Sequence, residues 1–366
     1  MPTTLIVTND FPPRIGGIER FVEQVCDFCD GDVAVLTSRE PGSAVADARR
    51  AYEVVRAGTV LLPTPSVARQ AAGLLRRSGA TRVVFGAAAP LGLLAGGLRR
   101  AGARRIVALS HGHETWWAQV PGGRTLLRRI AAEVDALTTI SDYTAGRIAP
   151  VLSAGDRAKL SPLPPPVDTD YFVPRPAAGP AAPRRCVAVG RLVRRKGVDT
   201  LIRAWPDVRR RVPGAELVVV GDGPERRRLT DLASRLAPGA VTFTGGLDRA
   251  GVREQLWGAD VFALPMRVRL GGLDAEGLGL AALEAAACGL PAVVGDSGGA
   301  PETVRDGESG FVVPPEDPPR LTERLVTLLG DGALARTMGV CGRAYVVAGF
   351  GAAAGRDRLR RLLELD

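Results

Sequence analysis

Short runs of apolar residues alternate along the chain with stretches whose apolar positions recur at helical spacing. In the first half, the runs that predict buried strands are Leu5–Thr8, Val33–Thr37, Val83–Phe85 and Ile106–Leu109. In the second half they are Cys186–Val189, Leu217–Val220, Val241–Phe243, Val261–Leu264 and Pro291–Val294. Helical patterns lie between the runs, for example over Pro65–Arg77, Leu126–Val134 and Gly279–Cys288. This alternation predicts parallel α/β architecture.

A proline-rich passage divides the chain into two parts. Residues 162–183 hold eight of the 28 prolines, and such a segment continues neither a helix nor a central strand. We therefore expect two Rossmann-like, doubly wound domains that face each other across a cleft. The first covers residues 1–165, a linker covers 166–184, and the second covers 185–345. A last helix, at about 346–366, is expected to pack back on the first domain.

The composition is that of a folded protein with a large core. The 366 residues are 46% hydrophobic and 24% charged, which excludes a disordered chain. No apolar stretch reaches the ~20 residues of a bilayer-spanning helix. The N-terminus lacks the features of a signal peptide, and five scattered cysteines favour a reducing compartment. These features predict a cytoplasmic protein.

The positive charge has two explanations that the sequence leaves open. The formal net charge is +9, yet Lys159 and Lys196 are the only lysines among 48 basic residues. The arginine excess is typical of GC-rich coding bias, and it equally suits a polyanionic partner such as a nucleotide or anionic lipid. Aromatic residues make up 5% and do not alternate with basic ones, which argues against nucleic-acid binding.

The first strand runs into a loop that contains Gly16 and Gly17 and then into a helix. Adjacent glycines allow close backbone approach, and a helix N-terminus favours an anion. A tight turn is the alternative explanation. The pattern is not G-x-G-x-x-G, so no dinucleotide-binding fingerprint is present.

Two cations flank a short loop at the start of the second domain. Arg191 and Lys196 follow strand Cys186–Val189, at the carboxyl end where open α/β sheets bind ligands. Such a pair suits a diphosphate, and Lys196 is informative because this chain almost always uses arginine. The alternative is a solvated basic turn.

A glutamate pair brackets the most distinctive segment. Glu284 is the only charged residue of the apolar helix that begins at Gly279, and a carboxylate there needs strong donors such as ribose hydroxyls. Glu276 lies just before that helix, where the amides of Gly277–Gly279 could join it in binding a polyol. A structural ion pair is the alternative role for Glu284.

Both histidines of the chain, His111 and His113, stand beside Glu114 after strand Ile106–Leu109. Their spacing lacks the helical placement of a zinc site, and no third ligand completes one, so we expect a cleft-lining histidine and no metal. Two further motifs are interpreted as structural. The D-x-D motif Asp168–Asp170 lies in the proline-rich passage, and the C-x-x-C motif Cys26–Cys29 lies inside a helix.

Together these segments resemble glycosyltransferase family 4, whose members are retaining enzymes with the GT-B fold. The motifs that carry the resemblance are Gly190-Arg191-Leu192 with Lys196-Gly197, Gly221-Asp222-Gly223-Pro224, Glu276 with Glu284, and Gly298-Gly299-Ala300-Pro301-Glu302. A Thr-Asn-Asp-Phe-Pro-Pro opening, His-Gly-His-Glu and Gly-Gly-Leu-Asp-x-Glu-Gly-Leu-Gly are similar to the actinobacterial phosphatidylinositol-mannoside mannosyltransferases. That resemblance implies a GDP-mannose donor and a glycolipid acceptor.

The resemblance also implies residue roles. Gly16 and Gly17 would contact the distal phosphate of the donor, and Arg191 and Lys196 would neutralise the diphosphate. The sugar hydroxyls would be held by Glu276 with the amides of Gly277, Leu278 and Gly279, and the ribose by Glu284. His111 would lie near the reacting face of the sugar, and Asp10 and His113 near the acceptor. The catalytic set is then His111, Arg191, Lys196 and Glu276, with no metal or other cofactor.

One departure affects the acceptor prediction. The family's Pro-Asn/Ser-Gly-Val-Asp motif reads Pro164-Pro165-Pro166-Val167-Asp168 here, so a permissive glycine is missing. For a lipid acceptor the first domain should present a basic surface that docks on the inner face of the plasma membrane. The candidates are Arg76-Arg77, Arg99-Arg100, Arg104-Arg105 and Arg128-Arg129, which are equally compatible with ordinary solvated arginines.

Other functions remain possible from the sequence. One is a UDP-sugar-dependent transferase of the same fold that acts on a soluble acceptor such as a cyclitol or a natural-product aglycone. Another is a non-catalytic nucleotide-sugar-binding protein, against which the retained Arg191, Lys196, Glu276 and Glu284 argue. An NAD-dependent oxidoreductase fits the fold alone. The sequence makes no prediction of the oligomeric state.

Overall fold

The computed structural model describes residues 3–14, 16–112, 114–176 and 184–365. The chain divides into two compact units, of which unit 1 comprises Met1–Pro165 with Gly355–Asp366 and unit 2 comprises Pro166–Ala354. The chain therefore passes from unit 1 to unit 2 once and returns for its last residues.

Unit 1 is built on a parallel sheet. Its strands are β1 Thr4–Thr8, β2 Val33–Thr37, β3 Glu53–Arg56, β4 Arg82–Phe85, β5 Arg105–Ala108, β6 Ala136–Thr139 and β7 Leu160–Pro162. Its helices are α1 Gly17–Phe28, α2 Ser43–Asp47, α3 Pro65–Arg77, α4 Ala95–Arg100, α5 Glu114–Trp117, α6 Pro121–Glu133, α7 Asp142–Ile148 and α8 Ala154–Arg157. Over the described residues the seven strands follow the order β3-β2-β1-β4-β5-β6-β7.

Strand β1 explains why this sheet is buried on both faces. Its side chains alternate between two hydrophobic clusters, with Leu5 and Val7 in one and Ile6 in the other. A continuous apolar run is the pattern that a parallel sheet covered by helices requires. Leu359 and Leu363 from the end of the chain join the second cluster, so the C-terminal helix completes the core of unit 1.

Unit 2 repeats the same architecture. Its strands are β8 Arg185–Val189, β9 Glu216–Val220, β10 Val241–Gly245, β11 Val261–Leu264, β12 Ala292–Gly295 and β13 Gly310–Val313. Its helices are α9 Val198–Arg211, α10 Arg226–Leu236, α11 Arg249–Trp257, α12 Leu280–Ala287, α13 Pro318–Gly330 and α14 Gly332–Phe350, and α15 Ala352–Leu363 then leads into unit 1. In the described part of unit 2, six parallel strands follow the order β10-β9-β8-β11-β12-β13.

The strand order fixes where each unit can bind a ligand. In unit 1 the order reverses between β1 and β4, and in unit 2 between β8 and β11. Open α/β sheets bind ligands at such switch points, beyond the carboxyl ends of the strands. The loops after β1 and after β8 are those in which the sequence places Gly16 and Lys196.

The structure differs from the predicted linker and from the predicted last helix. Residues 166–176 belong to unit 2, where Val167 and Phe172 are buried, and residues 177–183 lie outside the described residues. The helix expected over 346–366 is divided between α14 and α15. Gly351 is extended there (φ −72°, ψ 165°), and the backbone N–H of Val167 donates to the carbonyl oxygen of Phe350 at 2.7 Å.

None of the described helices is both long enough and apolar enough to cross a membrane.

Candidate active site

The loop after β8 carries both predicted diphosphate cations and is fixed by its backbone. Leu192 donates from its N–H to the carbonyl oxygen of Asp222 at 2.8 Å and accepts from the N–H of Glu225 at 3.1 Å. A Cβ atom on Gly197 would lie 1.9 Å from the carbonyl oxygen of Pro265, and its φ is +70°. Only glycine fits there, so the loop lies directly against the segment that follows β11.

The two cations differ in their surroundings. Arg191 is exposed, and its side chain makes no hydrogen bond or ion pair within the described part of the chain. Lys196 is only 9% exposed, and its Nζ lies 2.9 Å from Oε2 of Glu276. The structure thus places in the same loop one exposed positive charge, unpaired among the described residues, and one buried, paired positive charge.

Glu276 lies in the loop after β11 among cationic side chains. Besides Lys196, the Nε of Arg195 lies 3.5 Å from its Oε2, and Arg195 donates to Asp274 at 3.2 Å. The Oε2 atom is buried and accepts no hydrogen bond of good geometry from the described residues, although the cations lie close by. The carboxylate therefore keeps hydrogen-bonding capacity while its charge is balanced.

The turn after Glu276 leads directly into the N-terminus of α12. Leu278 is buried, and Gly279 has a φ of +106° directly before α12 begins. Glu284 lies one turn into the helix and is half-buried. The pKa of the nearby Cys288 thiol is raised to about 12, mainly by burial and further by the charge of Glu284. Glu276 and Glu284 therefore lie on either side of the start of α12.

In unit 1 the predicted glycines stand at the start of α1. Gly16 is the N-cap residue, and a Cβ atom there would lie 2.2 Å from Oε2 of Glu19. Glu19 is buried, and Arg14 lies 3.8 Å from its carboxylate. Gly17 has nothing within 4 Å of the position of a Cβ. A carboxylate of the chain itself therefore lies beside the helix end at which the sequence predicts a phosphate.

Of the two predicted acceptor residues, the structure describes Asp10. The N–H of Asp10 donates to the Thr8 hydroxyl at 2.9 Å, and the Asp10 carboxylate lies 3.6 Å from Arg14. His113 lies outside the described residues.

His111 follows β5 and is held on two sides. Its Nε2 lies 2.5 Å from the carbonyl oxygen of Gly86, which can only accept, so Nε2 carries the proton and Nδ1 is left for other contacts. Its backbone N–H donates to Glu114 at 3.0 Å, and Ser110 donates its hydroxyl to the same carboxylate oxygen. Edge-to-face packing on Phe21 completes the environment of the ring.

The motifs interpreted as structural have structural partners. Asp168 pairs with Arg249 at 2.6 Å, and burial raises the pKa of Cys26 to about 12 and that of Cys29 to about 11. Within the described ranges, no group of three or more histidine, cysteine, aspartate or glutamate side chains has the arrangement of a metal site.

Several arginines of the predicted basic surface are engaged within unit 1. The pairs are Arg77 with Glu53, Arg99 with Asp135 and Arg105 with Glu364, each at 2.9 Å, and Arg128 donates to the carbonyl oxygen of Val151 at 2.6 Å. Neutralised arginines add little to attraction toward an anionic surface, so docking by this surface remains a prediction.

Three residues beyond the carboxyl ends of the strands of unit 2 are not among those predicted from the sequence. Arg195 lies within ion-pair distance of both Asp274 and Glu276, and Ser297 after β12 has a buried hydroxyl without a hydrogen-bond partner among the described residues. All three follow the carboxyl end of a strand. Position after a strand was therefore the signal that could have singled them out.

Comparisons with known proteins identify the family of this chain. The model described as Glycosyltransferase Family 4 matches residues 15–171, and the model described as Glycosyl transferases group 1 matches residues 183–331. A relative from Mycolicibacterium smegmatis is 45% identical, with 99% of this chain and 97% of the relative covered. The chain belongs to glycosyltransferase family 4.

The family 4 relatives have closely related names. The M. smegmatis protein is a GDP-mannose-dependent alpha-(1-6)-phosphatidylinositol monomannoside mannosyltransferase. A Corynebacterium glutamicum protein, 40% identical over 99% of this chain and 98% of its own length, is the GDP-mannose-dependent monoacylated alpha-(1-6)-phosphatidylinositol monomannoside mannosyltransferase.

Solved structures agree on the fold. Sucrose-phosphate synthase from Thermosynechococcus elongatus has a TM-score of 0.79 at 23% identity, covering 99% of this chain and 98% of the other. Anabaena HepE, in complex with UDP, has a TM-score of 0.80 at 17% identity with 99% of both chains covered. The prediction of the GT-B fold with two Rossmann-like domains is confirmed.

Proposed function

We propose that this family 4 chain transfers mannose from GDP-mannose to a phosphatidylinositol mannoside, with retention of the α configuration. The family and the near-complete alignment with GDP-mannose-dependent phosphatidylinositol monomannoside mannosyltransferases support the donor and the acceptor. In the structure, the observation that carries the proposal is the 2.9 Å approach of Lys196 to Glu276 at the switch point of unit 2. It brings a cation for a diphosphate beside a carboxylate for sugar hydroxyls.

The chemistry asked of these residues is electrostatic. The bond between the anomeric carbon and the diphosphate oxygen breaks, and its electron pair leaves with GDP. The acceptor hydroxyl oxygen bonds to the anomeric carbon on the same face, and its proton passes to the departing phosphate. Arg191 and Lys196 stabilise the charge that grows on the diphosphate, so no metal and no protein nucleophile is assigned.

Glu276 orients the sugar during this step. Its Oε2 is buried against Lys196 and Arg195, which leaves the other carboxylate oxygen, Oε1, to accept from a sugar hydroxyl. The amides of Gly277, Leu278 and Gly279 at the start of α12 add donors, and Glu284 is assigned to the ribose. The roles of Gly16, Gly17, Asp10 and His111 in unit 1 stay predictions from the family resemblance.

A direct transfer assay tests the proposal. Purified protein is incubated with phosphatidylinositol monomannoside in mixed vesicles and with one of three donors, GDP-mannose, UDP-glucose or UDP-N-acetylglucosamine. The mass of the lipid product is then measured by mass spectrometry. Of the three donors, only GDP-mannose should add one hexose to the lipid. An α-mannosidase should then release that hexose. Transfer from uridine donors alone, or to a soluble cyclitol in place of the lipid, would contradict the proposal.

A binding measurement separates donor recognition from transfer. GDP present at 100 times its dissociation constant should stabilise the fold by about 2.7 kcal/mol, which a thermal-unfolding experiment resolves. Stabilisation by UDP and not by GDP would contradict the assigned donor even if the transfer assay gave no product. Binding of GDP without turnover on any acceptor would instead indicate a nucleotide-sugar-binding protein.

A further inference from the structure

A buried arginine lies behind the loop that carries Lys196. Arg267 follows β11 and is only 8% exposed. Its Nη2 donates to both carboxylate oxygens of Asp199, at 2.9 and 3.1 Å, and its Nη1 donates to Glu316 at 3.0 Å. A charged side chain at this depth is tolerated because it is paired, and the contacts of Nη2 with Asp199 and of Nη1 with Glu316 together fix the guanidinium plane.

Arg267 contacts the loop on both sides of Lys196. Its backbone N–H donates to the carbonyl oxygen of Arg195 at 2.8 Å. Its side chain holds Asp199, which stands in the first turn of α9. Lys196 lies between these two anchor points, so one residue fixes the chain immediately before Lys196 and three residues after it.

The anchored segment includes the cation that the proposed reaction uses. Lys196 is buried, and its Nζ is held 2.9 Å from Glu276, so a small displacement of its backbone changes where its charge lies. Misplacement of a catalytic group by about 1 Å can cost on the order of 100-fold in rate.

We propose that Arg267 is a positioning residue, which together with its counter-ion Asp199 holds Lys196 at the donor diphosphate. The inference rests on the proposed function in so far as a diphosphate-bearing donor binds at this loop. Arg267 itself is given no contact with donor or acceptor.

The charged groups around Asp199 predict what happens when Arg267 is removed. Arg228 lies 3.7 Å from the Asp199 carboxylate and donates to Glu225 at 2.5 Å. Without Arg267, the Asp199 carboxylate keeps one ion pair among the described residues, the one with Arg228. The first turn of α9 is then free to shift toward α10, and Lys196 loses its anchor on that side.

The effect should appear in kcat more than in the KM for the donor. The charge on the diphosphate grows as the sugar leaves, so the contact with Lys196 strengthens from ground state to transition state. Arg191 is exposed, stands outside the Arg267 contacts, and keeps its attraction for the bound donor. A purely structural role would lower only the amount of folded enzyme, so kcat per folded site, counted by titration with GDP, would stay unchanged.

The kinetic test compares two arginines of unit 2. Arg267→Met is expected to lower kcat by about 10- to 100-fold, with the donor KM changed less than about threefold. Arg185→Met is the control, because Arg185 pairs with Glu216 at 2.9 Å at the opposite, amino end of the sheet. The control should keep wild-type kcat. Unchanged kcat in Arg267→Met, or an equal loss in the control, would overturn the inference.

The chain offers a second readout that needs no turnover. Lys159 and Lys196 are its only lysines, so protein made with lysine labelled at Cε with ¹³C gives signals from two side chains. Lys159 is in unit 1, 2.9 Å from Asp156, and serves as an internal reference. Lys196→Arg assigns the two signals by removing one of them.

In this spectrum Arg267→Met should move or broaden the Lys196 signal and reduce its response to added GDP, with the Lys159 signal unchanged. Arg185→Met should leave both signals in place. A Lys196 signal identical in wild type and Arg267→Met would overturn the inference whatever the kinetics. Wild-type protein without transfer from any donor would overturn the proposed function instead, and the spectra would still decide the role of Arg267.

Discussion

Lys196 and Glu276 form an ion pair across the switch point of unit 2, with Nζ 2.9 Å from Oε2. Eighty residues separate them in sequence, and they meet because β8 and β11 are neighbours in the sheet. One side chain suits a phosphate and the other suits a sugar hydroxyl. Their contact means that each balances the charge of the other in a place where water is largely excluded.

This pairing predicts that Glu276→Gln separates transfer from nucleotide binding. The substitution replaces a charged acceptor pair by one neutral acceptor and a donor, so transfer should fall by at least about 100-fold. Lys196 then has no carboxylate to share its charge with, so GDP should bind as tightly as in wild type or more tightly. Calorimetric titration with GDP and the transfer assay measure the two effects. Glu216→Gln, in the partly buried pair with Arg185 at the amino end of the sheet, is the control, and full transfer activity in Glu276→Gln would contradict the assignment.

The two lysines should differ completely in their contribution to catalysis. Lys196→Met removes a preorganised cation at the diphosphate and should lower kcat by about 100- to 1,000-fold, which is the usual cost of one such stabilising group. Lys159→Met removes contacts to Asp156 and to the carbonyl oxygen of Ala131 in unit 1 and should leave kcat unchanged. Steady-state rates of both variants at saturating donor are the measurement. Equal losses in the two variants would contradict a specific role for Lys196.

Strands at the centre of each sheet could be predicted from the sequence, whereas three of the four edge strands could not. The exception is the edge strand β10, which was predicted as Val241–Phe243. Val33–Thr37 and Val261–Leu264 were predicted with the bounds that the structure has. The predictions missed β3, β7 and β13, which lie at sheet edges, and β6 beside an edge. Edge strands are short and need no continuous apolar run, because one side of each is not covered by a neighbouring strand.

The candidate site was predictable to the extent that its residues stand in local motifs. Lys196, Glu276 and the glycines before α12 each have a recognisable sequence context. Arg195 and Arg267 do not, because their contacts arise only where the loop after β8 meets the loop after β11. Sequence patterns report periods of two to four residues, and no such period links positions about 70 residues apart.

The cysteines should react in two distinct classes. Cys341 is exposed, and Cys26, Cys29, Cys186 and Cys288 are buried. Burial raises the pKa of Cys26 to about 12, so its unreactive thiol form persists up to strongly alkaline pH. A colorimetric thiol reagent at pH 8 should therefore label one cysteine quickly and the rest only in denaturant. Cys341→Ser should abolish the fast phase, and fast labelling of Cys26 or Cys29 would contradict the placement of the C-x-x-C motif.

The same thiols predict a loss of stability at alkaline pH. Burial is the largest cause of the raised pKa in both Cys26 and Cys29, which titrate at about 12 and about 11 in the folded chain. Unfolded thiols ionise at about 8.5, so the folded state retains more protons between these values. The free energy of unfolding should fall as the pH rises from about 8.5 toward 11. Urea titrations at pH 8 and pH 10 measure the change, and Cys26→Ala with Cys29→Ala should reduce it.

Two glycines test whether the backbone behind Glu276 is fitted to it. Gly298 and Gly307 both have positive φ, of +61° and +80°, so alanine costs about 1–2 kcal/mol of backbone strain at either position. A Cβ atom on Gly298 would lie 2.1 Å from the carbonyl oxygen of Glu276, whereas one on Gly307 meets nothing within 4 Å. Gly298→Ala must therefore displace Glu276, and Gly307→Ala need not. We expect Gly307→Ala to lose only the strain energy in thermal unfolding, Gly298→Ala to lose more, and only Gly298→Ala to lose transfer per folded enzyme, by more than about tenfold. Equal transfer by the two folded variants would mean that Glu276 tolerates displacement and is not the residue that orients the sugar.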